Sequence, residues 1–422
     1  MRVHQIGVKL RTQMHHFSGK LCAGMGKVSR RFVEEMIYGI QARGSVRLSE
    51  IARSLAEKAS LKKRIDRLSR NLGRSGLADE ISEAVLADGS SRIDTDTLLI
   101  VDPTDITKKY AKKMECLAKV RDASEKEVGL GYWIDTVVGV QNGSSEIIPL
   151  VHRLYSQNSD DFVSENNELL DAMRRVHCAT QGRGIFVLDR GGDRRSLYKE
   201  LLKEGSRFRF IIRQRGDRHI LCGGKLRETL QLAEKCKTPY AETVIKEKDG
   251  REKAYFIRFV FLPVRLVEHQ QRQLWLVVVK GFGQTPLMLL TTEPMRRHRK
   301  VLWWVVQGYL TRWRVEDTIR FIKQSYNLED IRVMTYQRLK NMAALVLAAS
   351  FFAAVHVGYK PRLQILALHA LNAAQRIFGI PNFRYYALAD GIKEILSKAG
   401  RGIMTKNIEE GGASPQLSLL WT

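Results

Sequence analysis

Two short apolar runs, Leu98 to Val101 and Ile185 to Leu188, each stop at an aspartate, Asp102 and Asp189. Neither run alternates with polar residues and both are too short for a helix, so each reads as a strand buried in a sheet. The segments around them agree. Trp133 to Val140 and Ile147 to Tyr155 read as strands joined at Asn142-Gly143, a dipeptide that favours a tight hairpin turn. Residues 161–178 read as a helix with Leu169, Leu170, Met173 and Val176 on its apolar side. Asp193 stands where it would cap a helix over 194–204, and Phe208 to Ile212 read as a further strand.

The order is strand, strand, strand, helix, strand, helix, strand. An antiparallel meander followed by two parallel crossovers is the order of the RNase H fold, which a last helix should close. That helix does not come at once. Residues 214–297 are strand-like and read as a β-rich insertion, and the helical pattern resumes over 298–332. The expected fold class is therefore α/β. An RNase H-like mixed sheet, first part over 93–213, is flanked by helices, with the insertion before the last helix. Helical regions stand at the N-terminus (1–92) and the C-terminus (333–422), with residues 1–29 and 398–422 expected to be loose.

Charge narrows the partners. Against 45 Asp+Glu the chain carries 70 Lys+Arg, a net +25 in 422 residues. A field of that sign attracts polyanions, and neutralising phosphates releases their counterions, so nucleic acid is the expected partner. Five scattered cysteines with no C-x-x-C pair argue against a disulfide framework or structural zinc and fit a reducing cytoplasm. The N-terminal stretch lacks the apolar core of a secretory leader. Asn341 to Tyr359 carries no Asp, Glu, Lys or Arg, but its six alanines and His356 fit a helix buried among helices better than a membrane span. The segment 60–74, with Leu61, Ile65, Leu68 and Leu72 as a stripe among Lys62, Lys63, Arg64, Arg67, Arg70 and Arg74, suits either a helix-turn-helix reader or a small bundle with a solvated basic face.

An acid at the end of a buried strand is exposed where sites form in such sheets. Two such acids can share Mg²⁺, a hard ion that takes oxygen ligands, and a third on a facing helix would complete a two-metal phosphoryl-transfer site. The segment YLTRWRVEDTIRFIK supplies one. Tyr309, Arg312 and Lys323 stand at offsets −7, −4 and +7 from Glu316. At ~100° per residue these positions fall within roughly 60° of arc. Arg320 lies on the same side, whereas Leu302, Val306, Leu310 and Trp313 form a separate apolar stripe. The plainer reading of that face is a solvated one with i,i+4 ion pairs.

Here the sequence resembles the DDE transposases of bacterial insertion sequences, the cut-and-paste group with the signature Y-x2-R-x3-E-x6-K, met by Tyr309, Arg312, Glu316 and Lys323. IVDPTDITK resembles the first-aspartate block, VLDRGGDRRSLYKELLKEGSRFRFIIR the second, and LLTTEP the strand before the signature helix. The resemblance implies that Asp102, Asp189 and Glu316 hold two Mg²⁺ or Mn²⁺ ions. It implies that Tyr309, Arg312 and Lys323 contact transposon-end phosphates, and that a homodimer pairs two ends before joining them to target DNA. A bacterial protein of the cytoplasm and nucleoid, without a membrane partner, is the corresponding setting. In relatives a tryptophan from the insertion assists a hairpin step, and the matching place here holds Leu287 or Met288.

Some alternatives stay open. Asp105 is a second possible first ligand, with Asp102 preferred because it directly follows the apolar run. Lys108, Lys109, Lys112 and Lys113 follow closely and suit either DNA phosphates or a solvated loop. Arg213, beside the sheet, is a better DNA clamp than Arg215. A transposase-derived DNA-binding protein without catalysis, or an RNase H-fold nuclease that cuts without joining, would share much of this sequence.

Overall fold

Strand β1 (Leu98–Thr107) is an interior strand of the sheet. It runs antiparallel to β3 (Val128–Val140), which in turn pairs with β4 (Ile147–Tyr155). The turn between β3 and β4 passes through Gly143 at φ +83, a conformation that glycine adopts without strain. Helix α6 (Glu165–Ala179) returns the chain to β5 (Ile185–Leu188), parallel to β1. Helix α7 (Arg195–Leu201) then leads to β6 (Phe210–Arg213), parallel to β5. The resulting order β4-β3-β1-β5-β6 is the RNase H-like one expected from the sequence. A short strand β2 (Ala118–Arg121), unforeseen in the sequence, adds to β3. The computed structural model describes residues 3–108, 111–121, 128–144, 146–248, 251–357, 362, 364–365 and 385–403.

The β-rich insertion is not a separate body. Its last strand, β12 (Leu287–Thr291), pairs antiparallel with β6. From there the same sheet continues through β11 (His269–Lys280), β10 (Arg251–Leu266), β7 (His219–Cys222) and β8 (Lys225–Glu228), and β9 (Tyr240–Lys248) also pairs with β10. Helix α8 (Thr229–Lys235) connects β8 to β9.

Apolar side chains cover both sheet faces. On one face Leu99, Val101, Phe186 and Leu188 pack with Leu170 and Met173 of α6 and Leu197 of α7. On the other, Leu98, Ile100, Val187 and Ile211 meet Leu302, Val305 and Val306 of α9 (Arg299–Ser325).

The N-terminal stretch is not loose. Ile6, Leu10, Met14, Phe17 and Leu21 form one buried stripe of α1 (Val3–Leu21). Four more helices follow: α2 (Lys27–Arg43), α3 (Leu48–Ser54), α4 (Leu61–Leu72) and α5 (Leu77–Ser90). Among them packs α10 (Tyr336–Phe351), continued by a π-helical turn through His356 and joined by α11 (Tyr385–Lys398). The two chain ends thus share one helical layer. Tyr336–His356 is long and apolar enough to cross a membrane but is 83% buried inside the fold. In the basic segment, Arg64 is bound to the carbonyls of Ala52 and Leu55, and Arg67 bridges Glu35 and Glu57. Those two arginines hold the bundle together, so two of the six basic residues read from the sequence are structural. The tail from 404 onward lies outside the described residues.

Candidate active site

Strand β1 does not end at Asp102. It continues to Thr107 along β3, while its pairing with β5 stops at Ile100. Past that point one edge of β1 has no partner strand, which is why Pro103, lacking an N–H, is tolerated inside it. Alternation then separates the two candidate first acids. Asp102, opposite Thr136, faces α9, and its side chain is 24% exposed. Asp105 lies on the other face, buried, and accepts a hydrogen bond from the Thr107 hydroxyl at 2.8 Å. The same alternation puts Asp189, next after the buried Leu188 of β5, on the face of Asp102. Asp189 is exposed and accepts from the Gly191 amide at 2.7 Å, which fixes the turn after β5.

Helix α9 brings Arg312 and Glu316 to this face. Arg312 Nη1 binds Glu316 Oε1 at 2.5 Å and stands 4.0 Å from Asp102 Oδ1. The guanidinium is 4% exposed and lies 5.4 Å from the centre of the Tyr309 ring. Burial opposes its charge, but Tyr309, Glu316, Asp189 and Asp102 more than offset that, so its pKa lies above the ordinary value. Asp102 responds the opposite way. Burial, then repulsion from Glu316 and Asp189, pushes its carboxyl up to about 7 against the pull of Arg312. Three acids therefore crowd one cation. Tyr309 is fully buried, and neither its hydroxyl nor Arg312 Nε has a hydrogen-bond partner. Buried donors of this kind are usually met by a water, an ion or a ligand.

Neighbouring contacts position the helix. Asn142, at the tip of the β3–β4 turn, donates to the Trp304 carbonyl at 2.9 Å, and Thr311 Oγ1 accepts from the Gly143 amide at 2.9 Å. Asp193 does not cap α7 as expected. Its carboxylate takes the Arg215 amide at 2.9 Å and Arg218 Nε at 2.6 Å, bracing the turn after Asp189 against the end of β6. Beside Asp102 on the same face, Thr136 bonds His152 Nδ1 at 3.0 Å, and burial pushes that imidazole down to about 4, so it is neutral at pH 7.

Of the other residues singled out in the sequence, Arg213 ends β6 half-buried, on the same face as Ile211 and hence as Asp189. Tyr309 and Arg312 are buried, not displayed at a surface. Lys108 is a correction: it is 5% exposed, and its ammonium binds the carbonyls of Leu328, Glu329 and Ile331, not solvent or phosphate. Arg320 and Lys323 belong to α9, with side chains outside the described part, and Lys109 lies outside the described residues altogether. No sequence signal announced the Asn142–Thr311 or Asp193–Arg218 contacts, because each joins segments far apart in the chain.

The family model for the transposase DDE domain matches residues 94–352. The chain belongs to that family. The matched DDE domain begins just before β1 and ends in the π-helical turn after α10, so it holds all twelve strands, α9 and all three acids. It leaves α1–α5 and α11 outside. A solved structure of a piggyBac transposase synaptic complex with hairpin DNA is similar to this chain at 11% identity and a TM-score of 0.42, covering 99% of this chain and 82% of that one. No curated protein matches the sequence.

The acid set of this DDE domain suits a hard divalent ion in its chemistry, carboxylate oxygens being the ligands such ions take. Among the described residues, no three His, Cys, Asp or Glu side chains already stand close enough to share one ion. Glu316 is turned onto Arg312 instead.

Proposed function

We propose that this transposase cuts DNA at transposon ends and joins them to target DNA, using divalent ions held by Asp102, Asp189 and Glu316. The observation that carries the reading is the gathering of those acids, on one sheet face, around one buried guanidinium with unpaired donors beside it. When bound, two Mg²⁺ or Mn²⁺ ions would supply activation of the attacking oxygen and stabilisation of the leaving one.

The chain's own residues do the rest. Asp102, Asp189 and Glu316 would hold the ions. Arg312 presents its fork of N–H donors to phosphate oxygens, for which a guanidinium is well shaped. The Tyr309 hydroxyl donates to the same phosphate. Arg213 on the sheet, with Arg320 and Lys323 further along α9, neutralises the flanking backbone, helped by the +25 field of the whole molecule. Two copies of the chain pair two ends, in the cytoplasm at the nucleoid. The test is incubation with Mg²⁺ and a supercoiled plasmid carrying the element's ends. Cut ends followed by joined product support the reading; cut ends with no joining indicate a nuclease, and end binding without cutting a non-catalytic protein.

A further inference from the structure

Glu316 lies between two anchors. Before it, Thr311 is held by the β3–β4 turn. After it, α9 ends at Ser325, and the chain turns through Asn327 in a left-handed conformation (φ 51) into a 3₁₀ turn, Leu328–Asp330. Gln41, Gly44 and Arg47 tie this region to the N-terminal helices through Tyr326, Asn327 and Asp330. Lys108 ties it to β1. Its Nζ donates to the carbonyls of Leu328 at 3.1 Å, Glu329 at 2.5 Å and Ile331 at 3.3 Å. An ammonium has three protons to give and no acceptor, so these carbonyls match its donors one for one. Its own amide donates to Leu130 of β3 at 2.6 Å. One residue is thus fixed to the sheet by its main chain and to the exit of α9 by its side chain.

We propose that Lys108 is a positioning residue of the metal site, setting the separation of Asp102, on its own strand, from Glu316, on the helix whose exit it holds. The proposal rests on the metal reading above. Apolar packing holds the first half of α9 through Leu302, Val305 and Val306, and Val315 and Ile322 continue it beyond Arg312. Lys108 adds a polar clamp at the exit of the helix, and a metal site tolerates only about 0.5 Å of looseness in its ligands.

The test uses the full chain, Mn²⁺ as probe and no DNA. Bound Mn²⁺ is read from loss of the free-ion electron paramagnetic resonance signal, in wild type, Glu316→Gln, Lys108→Met and Lys108→Arg. Met fills the same space without donors, and Arg keeps charge and donors. Wild type should bind Mn²⁺ in a Glu316-dependent way. Lys108→Met should raise the apparent Kd about tenfold, as loss of a supporting contact behind a metal ligand does, with Lys108→Arg recovering most of it. Hydrogen exchange on the same proteins should show faster exchange over 326–332 in Lys108→Met, with the sheet core unchanged. Wild-type affinity in Lys108→Met would overturn the proposal. So would unchanged exchange over 326–332, which decides against the clamp even if wild type binds no Mn²⁺ and the metal reading itself fails.

Discussion

The two faces of the central sheet treat the same residue type in opposite ways. On the α9 face, Asp102 stands beside Arg312, Glu316 and Asp189, and is still 24% exposed. On the α6 face, Asp135 sits opposite Pro103, 1% exposed, with no hydrogen-bond partner for either carboxylate oxygen. Burial, then Glu168, pushes Asp135 up to about 8, with Arg153 pulling the other way. Both acids are destabilised as anions by burial first and by neighbouring acids second. What separates them is access. Asp102 is open enough for a cation to reach it and the acids beside it, whereas Asp135 is shut in and at pH 7 is held as a neutral carboxylic acid. A raised carboxyl marks a site only where an ion can reach it.

The largest effect that would break this contrast is expected on the front face. Glu316→Gln or Asp102→Asn should lower end cleavage by at least about a hundredfold while leaving DNA binding intact. Plasmid cleavage and a band-shift assay check both halves of that statement. Asp105→Asn, one strand face away, should leave cleavage within about threefold of wild type, since the amide oxygen can still accept from Thr107. If Asp105→Asn cuts as poorly as Asp102→Asn, alternation along β1 has misassigned the ligand.

Asp135 sharpens the comparison through pH. Its folded pKa lies above its unfolded one, so the native state binds the extra proton and the benefit is complete below about pH 4. That benefit is lost as pH rises toward 8, with a slope of at most ~1.4 kcal/mol per pH unit. Asp135→Asn should flatten the slope and be more stable than wild type at pH 8, with cleavage unchanged. An equal slope in both proteins, by chemical denaturation between pH 5 and 8, would show that Asp135 is ionised in the fold. The smallest effect is expected for Arg213→Ala, which should reduce the salt slope of DNA binding by about one unit without changing sequence preference.

Much of the front face was legible in the sequence because the signals are local. The apolar runs before Asp102 and Asp189 show two buried strands, although β1 runs on to Thr107, and the spacing of Tyr309, Arg312 and Glu316 shows one side of a helix. What was not legible depends on distant partners. Nothing near Lys108 says that its ammonium will meet carbonyls more than 200 residues away. Arg64 and Arg67 look like a DNA-facing stripe until α2 supplies Glu35, and α3 with the segment after it supplies Glu57 and two carbonyls. The stripe of α1 was present, at Ile6, Leu10, Met14, Phe17 and Leu21, but histidines and other polar residues diluted it. That β1 runs on past Asp102 and Pro103 is not legible locally, because a proline cannot serve a ladder on its N–H side, and only the sheet shows that β5 has already stopped there. The insertion read correctly as β-rich, but that it extends the same sheet rests on the β6–β12 pairing, which no local pattern encodes.

The most direct test of the metal site is affinity cleavage with Fe²⁺, ascorbate and peroxide on the full chain. Fe²⁺ seated in place of Mg²⁺ generates hydroxyl radicals that cut the nearby backbone. The account predicts cuts at three places, around Asp102, Asp189 and Glu316, suppressed by excess Mg²⁺ and absent in Glu316→Gln. Cuts elsewhere, or the same cuts in Glu316→Gln, would contradict it.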